Sequence, residues 1–252
     1  MVAVVRQLAW RGVIGLVRVP VTVIPVVVMP VFFTIAFSGA FSAITNIPGF
    51  PTGNILDWMV PFAVLQGAAF AGFGAAFGAG RDLENGFFDR LLAAPVARPA
   101  LVVGPLLFTM LRSLLPLAIV LPVGYLGGAR IHGGPAGFVM LLVATLGVAV
   151  LAGLWGLGVV YRARSQRAGA LVQAGIFVAM FLSVGQVPLE VMTGWLHWVA
   201  ARNPFTYVLT MARQGFLGEV TWHDTWPGLI ALAASAVLLG WFAQRGFRRL
   251  VP

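Results

Sequence analysis

The sequence predicts an all-α integral membrane protein that crosses the bilayer six times. Of its 252 residues, 60% are hydrophobic and 9% are charged, whereas charged residues make up about a quarter of an ordinary soluble domain. Uncharged stretches long enough to cross a bilayer recur along the whole chain. The arginines lie mainly between these stretches and gather on one side of the predicted membrane. Residues 1–252 are therefore predicted to form a single transmembrane domain.

The N-terminal segment, residues 4–18, is predicted to be an amphipathic helix lying along the membrane interface. Gln7, Arg11 and Arg18 fall on one helical face, and apolar residues largely avoid that face. The alternative is that this segment begins a long first span. The first span itself is predicted at about residues 19–37, where three prolines are acceptable because a membrane span tolerates kinks better than a soluble helix.

Five further spans follow the first. They are predicted at about residues 58–79, 108–127, 136–160, 169–187 and 227–243. In the second span, Gly74 and Gly78 form a pair of small residues suited to close helix packing. The long outer segment 188–226 separates the last two spans, and its four tryptophans are of a type common at the headgroup level of a bilayer.

Arg112 makes the start of the third span ambiguous. If the span began at Leu101, Arg112 would lie near the middle of the membrane, where a charge is costly. If the helix begins in the cytosol and the span starts near Phe108, Arg112 lies at the inner interface and its guanidinium can extend to the headgroups. Both positions are compatible with the sequence, and the second is the interpretation adopted for the span limits.

The arginines predict the orientation of the chain. One side holds twelve of them, and the other side holds Arg130, Arg202 and Arg213. Because positive residues favour the cytoplasmic side, both termini are predicted to be cytoplasmic in a multi-pass protein of the plasma membrane. The twelve are Arg6, Arg11, Arg18, Arg81, Arg90, Arg98, Arg162, Arg164, Arg167, Arg245, Arg248 and Arg249.

No pattern in the chain indicates catalysis, metal binding or nucleic-acid binding. Cysteine is absent, and the three histidines lie in predicted outer loops without paired ligands at metal-binding spacing. The arginines are scattered between apolar runs, unlike the basic face of a nucleic-acid-binding domain. Lysine is also absent, so the chain has no Walker A loop, in which a lysine contacts the nucleotide phosphates. Energy for uphill transport is therefore predicted to come from another chain.

Few polar side chains lie within the predicted spans. Gln66 and Gln173, together with Arg112, are the candidates for a substrate path, and the alternative for each is a hydrogen bond between neighbouring helices. So few polar groups favour a hydrophobic or amphipathic cargo over an ion or a sugar.

The loop after the second span carries an unusual concentration of charge. Residues 81–98 hold six of the 23 charged residues of the chain. A helical wheel places Leu83, Phe87 and Leu91 along one edge, and Pro95 is expected to end the helix. The segment is therefore predicted to be a short amphipathic helix on the cytosolic side.

Two motifs carry a resemblance to a known family. The first is Asp82-Leu-Glu-Asn-Gly86 followed by Asp89-Arg-Leu-Leu-Ala-Ala-Pro95, and the second is Asn203-Pro-Phe-Thr-Tyr207 with Arg213 six residues later. Both resemble signatures of ABC-2 type permeases, the membrane subunits of type V ABC exporters, including the daunorubicin-resistance permeases. The chain departs from the family pattern at Pro105, where many relatives carry a basic residue.

The resemblance implies that the chain is a permease subunit and not itself an enzyme. A separate pair of ABC ATP-binding subunits would bind ATP and Mg²⁺, and this chain would bind no cofactor of its own. A second permease copy or a paralogue would complete a dimer of six-span subunits surrounded by membrane lipids, with no role for nucleic acid. The expected cargo is a drug, antibiotic, lipid or glycolipid leaving the cytoplasm.

The same resemblance implies roles for the two motifs. The first would be the coupling helix, in which Leu83, Phe87, Phe88 and Leu91 form the docking surface and Glu84 and Arg90 fix its register. Its full set is Arg81, Asp82, Leu83, Glu84, Gly86, Phe87, Phe88, Arg90, Leu91 and Pro95. The second motif, with Asn203, Pro204, Tyr207 and Arg213, would belong to partly re-entrant outer helices before the last span.

Two other classes of function remain open at this point. One is a secondary transporter or channel that is not coupled to ATP. The other is a membrane assembly factor that transports nothing.

Overall fold

The computed structural model describes residues 2–18, 23–47, 50–94 and 98–250. These residues form ten α-helices joined by loops and 3-10 turns, and this described part contains no strand. The helices are α1 (Val2–Arg18), α2 (Ile24–Ala40), α3 (Ile55–Glu84), α4 (Phe87–Ala93), α5 (Ala100–Leu126), α6 (Gly134–Ala163), α7 (Gly169–Phe181), α8 (Gly194–Ala200), α9 (Pro204–Leu217) and α10 (Trp222–Arg248). Pro95 lies outside the described residues.

Several helices have the length and composition of membrane spans. Within the described residues, α3, α5, α6 and α10 are long and apolar enough to cross a bilayer, and the apolar part of α2, Val26–Ala40, is shorter. The predicted fifth span, residues 169–187, contains only the 13-residue helix α7, which is about 20 Å long. The all-helical, multi-pass membrane class is therefore confirmed, while the number of six crossings stays a prediction.

Helix α3 lies at the centre of the bundle. Its most apolar window is 83% buried, against 11% for that of α10, and it contacts α2, α5, α6, α7 and α9. Small residues allow α6 to approach closely, because a Cβ added at Gly156 of α6 would lie 2.6 Å from the Cβ of Ala76. Gly74 and Gly78 were predicted to form a face for close helix packing. Gly74 instead faces the Arg112 side chain of α5, and no described atom lies within 4 Å of a Cβ added at Gly78.

Helix α1 packs against the first half of α5. A Cβ added at Gly104 of α5 would lie 2.7 Å from the Cβ of Leu8, and Gly12 of α1 faces the ring of Phe108. Residues 4–18 are thus part of a helix of their own, separate from α2 in the described structure. The third predicted span, 108–127, is preceded by helix back to Ala100, so the helix itself begins well before Arg112.

Candidate functional site

The predicted helix of residues 81–98 is interrupted in the structure. Helix α3 continues through Glu84, Asn85 and Gly86 form a break, and α4 begins at Phe87. Gly86 has a φ of 66°, a left-handed conformation that glycine adopts without steric cost. The prediction of one helix running from Leu83 to Leu91 was therefore wrong, because the helix is broken at the Asn-Gly pair.

Replacing Gly86 with alanine is expected to lower the free energy of unfolding by about 1–2 kcal/mol, the cost of a left-handed non-glycine residue. No described atom lies within 4 Å of the added Cβ, so the cost comes from the backbone alone. Gly86→Asn should cost less, because asparagine tolerates this conformation better. Thermal unfolding of the purified variants in detergent measures the difference. Equal losses for the two variants would contradict a cost set by the backbone.

Phe88 connects α4 to the C-terminal ends of two long helices, α6 and α10. Its side chain is 4% exposed, and its ring lies 5.7 Å from Tyr161 of α6 and 6.0 Å from Phe247 of α10, centroid to centroid. Leu83 and Leu91 are partly buried against the same core. The side chain of Phe88, expected on a docking surface, instead packs inside this chain, because the break at Gly86 turns it toward α6 and α10.

Asp82 and Phe87 connect the segment to α1. The Arg11 guanidinium donates two hydrogen bonds to the Asp82 carboxylate, at 2.8 and 2.6 Å, a bidentate pairing of the stronger type. The same guanidinium lies 4.2 Å from the centre of the Phe87 ring. The hydrogen bonds to Asp82 raise the pKa of Arg11 above its usual value.

Glu84 connects the segment to the loop between α6 and α7. Its Oε1 accepts hydrogen bonds from the Ser165 hydroxyl at 2.9 Å and from the Gln166 backbone N–H at 2.8 Å. Ser165 in turn accepts from the Arg167 backbone N–H at 3.2 Å. Glu84 thus braces a second loop on the same side of the molecule as α4.

The outward face of the segment is polar. Arg81, Asn85, Asp89 and Arg90 are exposed, while the aromatic and leucine side chains are buried or half-buried. A partner approaching α4 would therefore meet charged and amide groups. The apolar edge that the helical wheel predicts as a docking surface is therefore not the exposed face of the segment.

The second motif fixes the start of α9. The Asn203 side chain accepts a hydrogen bond from the Phe205 N–H at 2.9 Å, as an N-cap does. Its amide group donates to the carbonyls of Ala179 and Leu182, at 2.6 and 2.8 Å, near the end of α7. Pro204 occupies the first helical position, where no N–H partner is needed. The Asn-Pro pair therefore begins α9 and attaches it to α7.

Tyr207 and Arg213 hold α9 in place further along. The Tyr207 hydroxyl donates to the Ala201 carbonyl at 2.7 Å. Arg213 is 2% exposed and donates to the carbonyls of Trp58 at 3.1 Å, Val184 at 2.9 Å and Gly185 at 3.0 Å. Its guanidinium also lies 3.5 Å from the centre of the Trp58 ring. Arg213 therefore joins α9, the start of α3 and the non-helical residues after α7.

The three candidates for a substrate path have different surroundings. Gln66 is fully buried, and neither of its amide atoms has a hydrogen-bond partner among the described residues, so the hydrogen bond between helices that the sequence allowed is not formed. Gln173 is exposed on α7. Arg112 is 8% exposed, and its guanidinium occupies the space that a side chain at Gly74 would fill.

Several contact partners of the α3–α4 segment had no signal in the sequence. Arg11, Tyr161, Ser165, Gln166 and Phe247 all lie about 70 residues or more from the side chains they contact. The break itself did have a signal, because an Asn-Gly pair commonly marks a turn.

The chain is similar in sequence to known membrane permeases. Residues 3–217 match the family model described as ABC-2 type transporter. The chain is 30% identical over 245 residues to the daunorubicin resistance ABC transporter permease protein DrrB1 of Streptomyces coeruleorubidus, covering 95% of this chain and 83% of that protein.

Two further relatives match nearly as much of the chain. It is 27% identical over 233 residues to the probable doxorubicin resistance ABC transporter permease protein DrrC of Mycobacterium tuberculosis, covering 91% and 82% of the two chains. It is 25% identical over 235 residues to the putative transport permease ycf38 of Pyropia yezoensis, covering 88% and 76%. The chain belongs to the ABC-2 type transporter family and is a membrane permease of that family.

Proposed function

We propose that this chain is the permease subunit of an ATP-driven exporter that moves a hydrophobic or amphipathic compound out of the cytoplasm. The observation that carries the proposal is the α3–α4 segment, which combines an exposed polar face with three separate attachments to the rest of the bundle. Such a segment suits transmission of a movement from a soluble partner. The two drug-resistance relatives support an export role.

The proposed membrane arrangement has six crossings, made by α2, α3, α5, α6, α7 and α10. Both termini and α4 face the cytoplasm of a plasma-membrane protein, α1 lies along the inner interface, and α8 and α9 form a partly re-entrant outer layer. The distribution of arginines supports this orientation. Exposed apolar side chains such as Phe32, Ile35, Val237 and Leu238 suit contact with lipid.

The proposed assembly contains two permeases and two ATP-binding subunits. ATP and Mg²⁺ are bound by the partner subunits, since this chain has no lysine for a Walker A loop. The second permease is another copy of this chain or a paralogue. Exposed Asn85, Asp89 and Arg90 would contact the ATP-binding partner, in place of the apolar edge expected from the helical wheel.

The proposed coupling follows the contacts of the segment. ATP binding favours one of two states of the assembly, and a movement of α4 must differ between them. Phe88 passes that movement to α6 and α10, and the Arg11–Asp82 pair passes it to α1. Because these are packed side chains on rigid helices, the movement can reach the outer half of the bundle.

Reconstitution with a candidate ATP-binding subunit tests the proposal. Wild-type permease in lipid nanodiscs is expected to stimulate ATP hydrolysis by the partner. Arg90→Glu should reduce that stimulation about tenfold or more, because like charges at an interface cost several kcal/mol. Arg248→Glu, which reverses an exposed charge at the end of α10, is the matched control and should keep it.

The alternatives give different outcomes in the same system. Transport by the purified chain alone, driven by an ion gradient, would identify a secondary transporter or channel. A stable complex that neither stimulates ATP hydrolysis nor moves an amphipathic dye would identify an assembly factor. Equal activity of the two charge reversals would show that α4 does not contact the ATP-binding subunit.

A further inference from the structure

A groove of about 440 Å³ opens between α1, α3, α4 and α5. Its walls are largely apolar and include Leu8 of α1, Phe73 and Phe77 of α3, and Phe108 of α5. Phe77 is 38% exposed, so the groove is accessible from the surface of the bundle. Its shape and lining suit an aliphatic chain beside aromatic rings.

Arg112 lies at the base of this groove. It belongs to α5 and is 8% exposed, and the missing side chain of Gly74 provides the space for its guanidinium. Side chains of a helix tilt toward its N-terminus, and α5 begins at Ala100. The guanidinium of Arg112 is therefore directed toward the N-terminal end of α5, which follows the α3–α4 segment in the chain.

The groove is positively charged overall. Its lining contains three guanidinium groups, those of Arg11, Arg81 and Arg112, and one carboxylate, that of Asp82. Three positive charges and one negative charge give these four groups a formal net charge of +2. The Asp82 carboxylate already accepts two hydrogen bonds from Arg11. Gly74 and Arg81 are about 10 Å apart along α3, so positive charge extends from the base of the groove to its mouth. An anionic group is the complementary ligand.

We propose that the groove binds one anionic phospholipid of the cytoplasmic leaflet, with its phosphate between Arg81 and Arg112 and an acyl chain along Phe73, Phe77 and Phe108. The occupant is a phospholipid and not free phosphate, because free phosphate would leave the apolar walls unused. Such a lipid contacts α1, α3 and α5 together and helps to hold α1 in place. The choice of leaflet rests on the membrane orientation proposed above, whereas lipid binding itself goes beyond the export function and does not depend on it.

Lipid binding to the purified full-length chain tests this proposal directly. After delipidation in detergent, phosphatidylglycerol and phosphatidylcholine with identical acyl chains are titrated, and bound molecules are counted by native mass spectrometry. Wild type is expected to bind one phosphatidylglycerol in preference to phosphatidylcholine. Arg81→Gln and Arg112→Gln should each weaken that binding about fivefold, the effect of one arginine near an anionic lipid.

Two variants separate this site from general charge attraction. Arg112→Lys keeps the charge and should retain binding within about twofold. Arg6→Gln removes an exposed charge from α1 outside the groove and should also retain it. If Arg112→Gln does not fold, the Arg81→Gln variant tests the proposal by itself. Arg81 is exposed, so its replacement should leave the fold intact.

Three results would overturn the proposal. The first is equal binding of phosphatidylglycerol and phosphatidylcholine by wild type. The second is a loss in Arg6→Gln as large as that in Arg81→Gln. The third is binding of inorganic phosphate alone, without lipid, that requires Arg81 and matches the affinity for phosphatidylglycerol, since it would make the ligand free phosphate. None of these measurements uses ATP or a partner, so their outcome is distinct from that of the export test.

Discussion

Arg213→Met is expected to lower the free energy of unfolding by about 3 kcal/mol or more. The arginine donates three hydrogen bonds to buried carbonyls, those of Trp58, Val184 and Gly185, and hydrogen bonds from charged donors contribute about 1.5–3 kcal/mol each before the cost of burying the charge. Methionine fills similar space but leaves all three carbonyls without this donor. Thermal and denaturant unfolding in detergent measures the loss.

Arg202→Met is the matched control for that experiment. Arg202 is exposed, lies just before α9, and donates one hydrogen bond to the Trp198 carbonyl at 3.2 Å. Its replacement should change stability by less than about 0.5 kcal/mol, as surface substitutions usually do. Hydrogen exchange adds a second readout, because Arg213→Met should raise exchange in residues 182–187 and at the start of α3. Similar losses in both variants would show that Arg213 has no special structural role.

Phe88→Ala is expected to destabilise the protein by about 3–5 kcal/mol, the usual cost of removing a buried phenylalanine ring. The ring is 4% exposed and packs against both Tyr161 and Phe247. If the export proposal holds, the variant should also bind the ATP-binding subunit normally but transport less, because the contact from α4 to α6 and α10 is lost. Unfolding, co-purification and vesicle transport measure these three effects.

The neighbouring residue provides the control for Phe88. Phe87→Ala removes the same number of atoms from a half-buried ring that contacts the Arg11 guanidinium, and it should cost about 1 kcal/mol. Phe88→Leu should recover most of the stability lost in Phe88→Ala, because it keeps most of the buried apolar volume. A larger loss for Phe87→Ala than for Phe88→Ala would contradict the assignment of the inward-facing ring.

The all-helical, multi-pass membrane class could be predicted because it depends on local composition. Short motifs also carry local information. The Asn203-Pro204 pair, for example, suits the start of a helix, because asparagine is favoured as an N-cap and proline at the first helical position. The inward direction of Phe88 could not be predicted in the same way. It depends on the break at Gly86, and a helical wheel assumes that no such break exists.

Contacts between residues that are far apart in the chain could also not be predicted from the sequence. Arg11 and Asp82 are 71 residues apart, and nothing in either local pattern indicates their contact. The neighbour of Gly74 could not be predicted either, because a small residue in a span leaves space for a neighbouring helix backbone or for a bulky side chain. Here it accommodates the guanidinium of Arg112, and α6 instead packs with Gly156 against Ala76 of α3.

The length of α7 limits how much of the hydrocarbon core this helix can cross. A helix of 13 residues covers about 20 Å of a hydrocarbon core that is about 30 Å thick. In the proposed orientation, residues 182–187 and α9 occupy the remaining third. There the Arg213 guanidinium of α9 donates hydrogen bonds to the carbonyls of Val184 and Gly185. In that orientation, the polar backbone groups of residues 182–187 lie within about 10 Å of the outer edge of the hydrocarbon core.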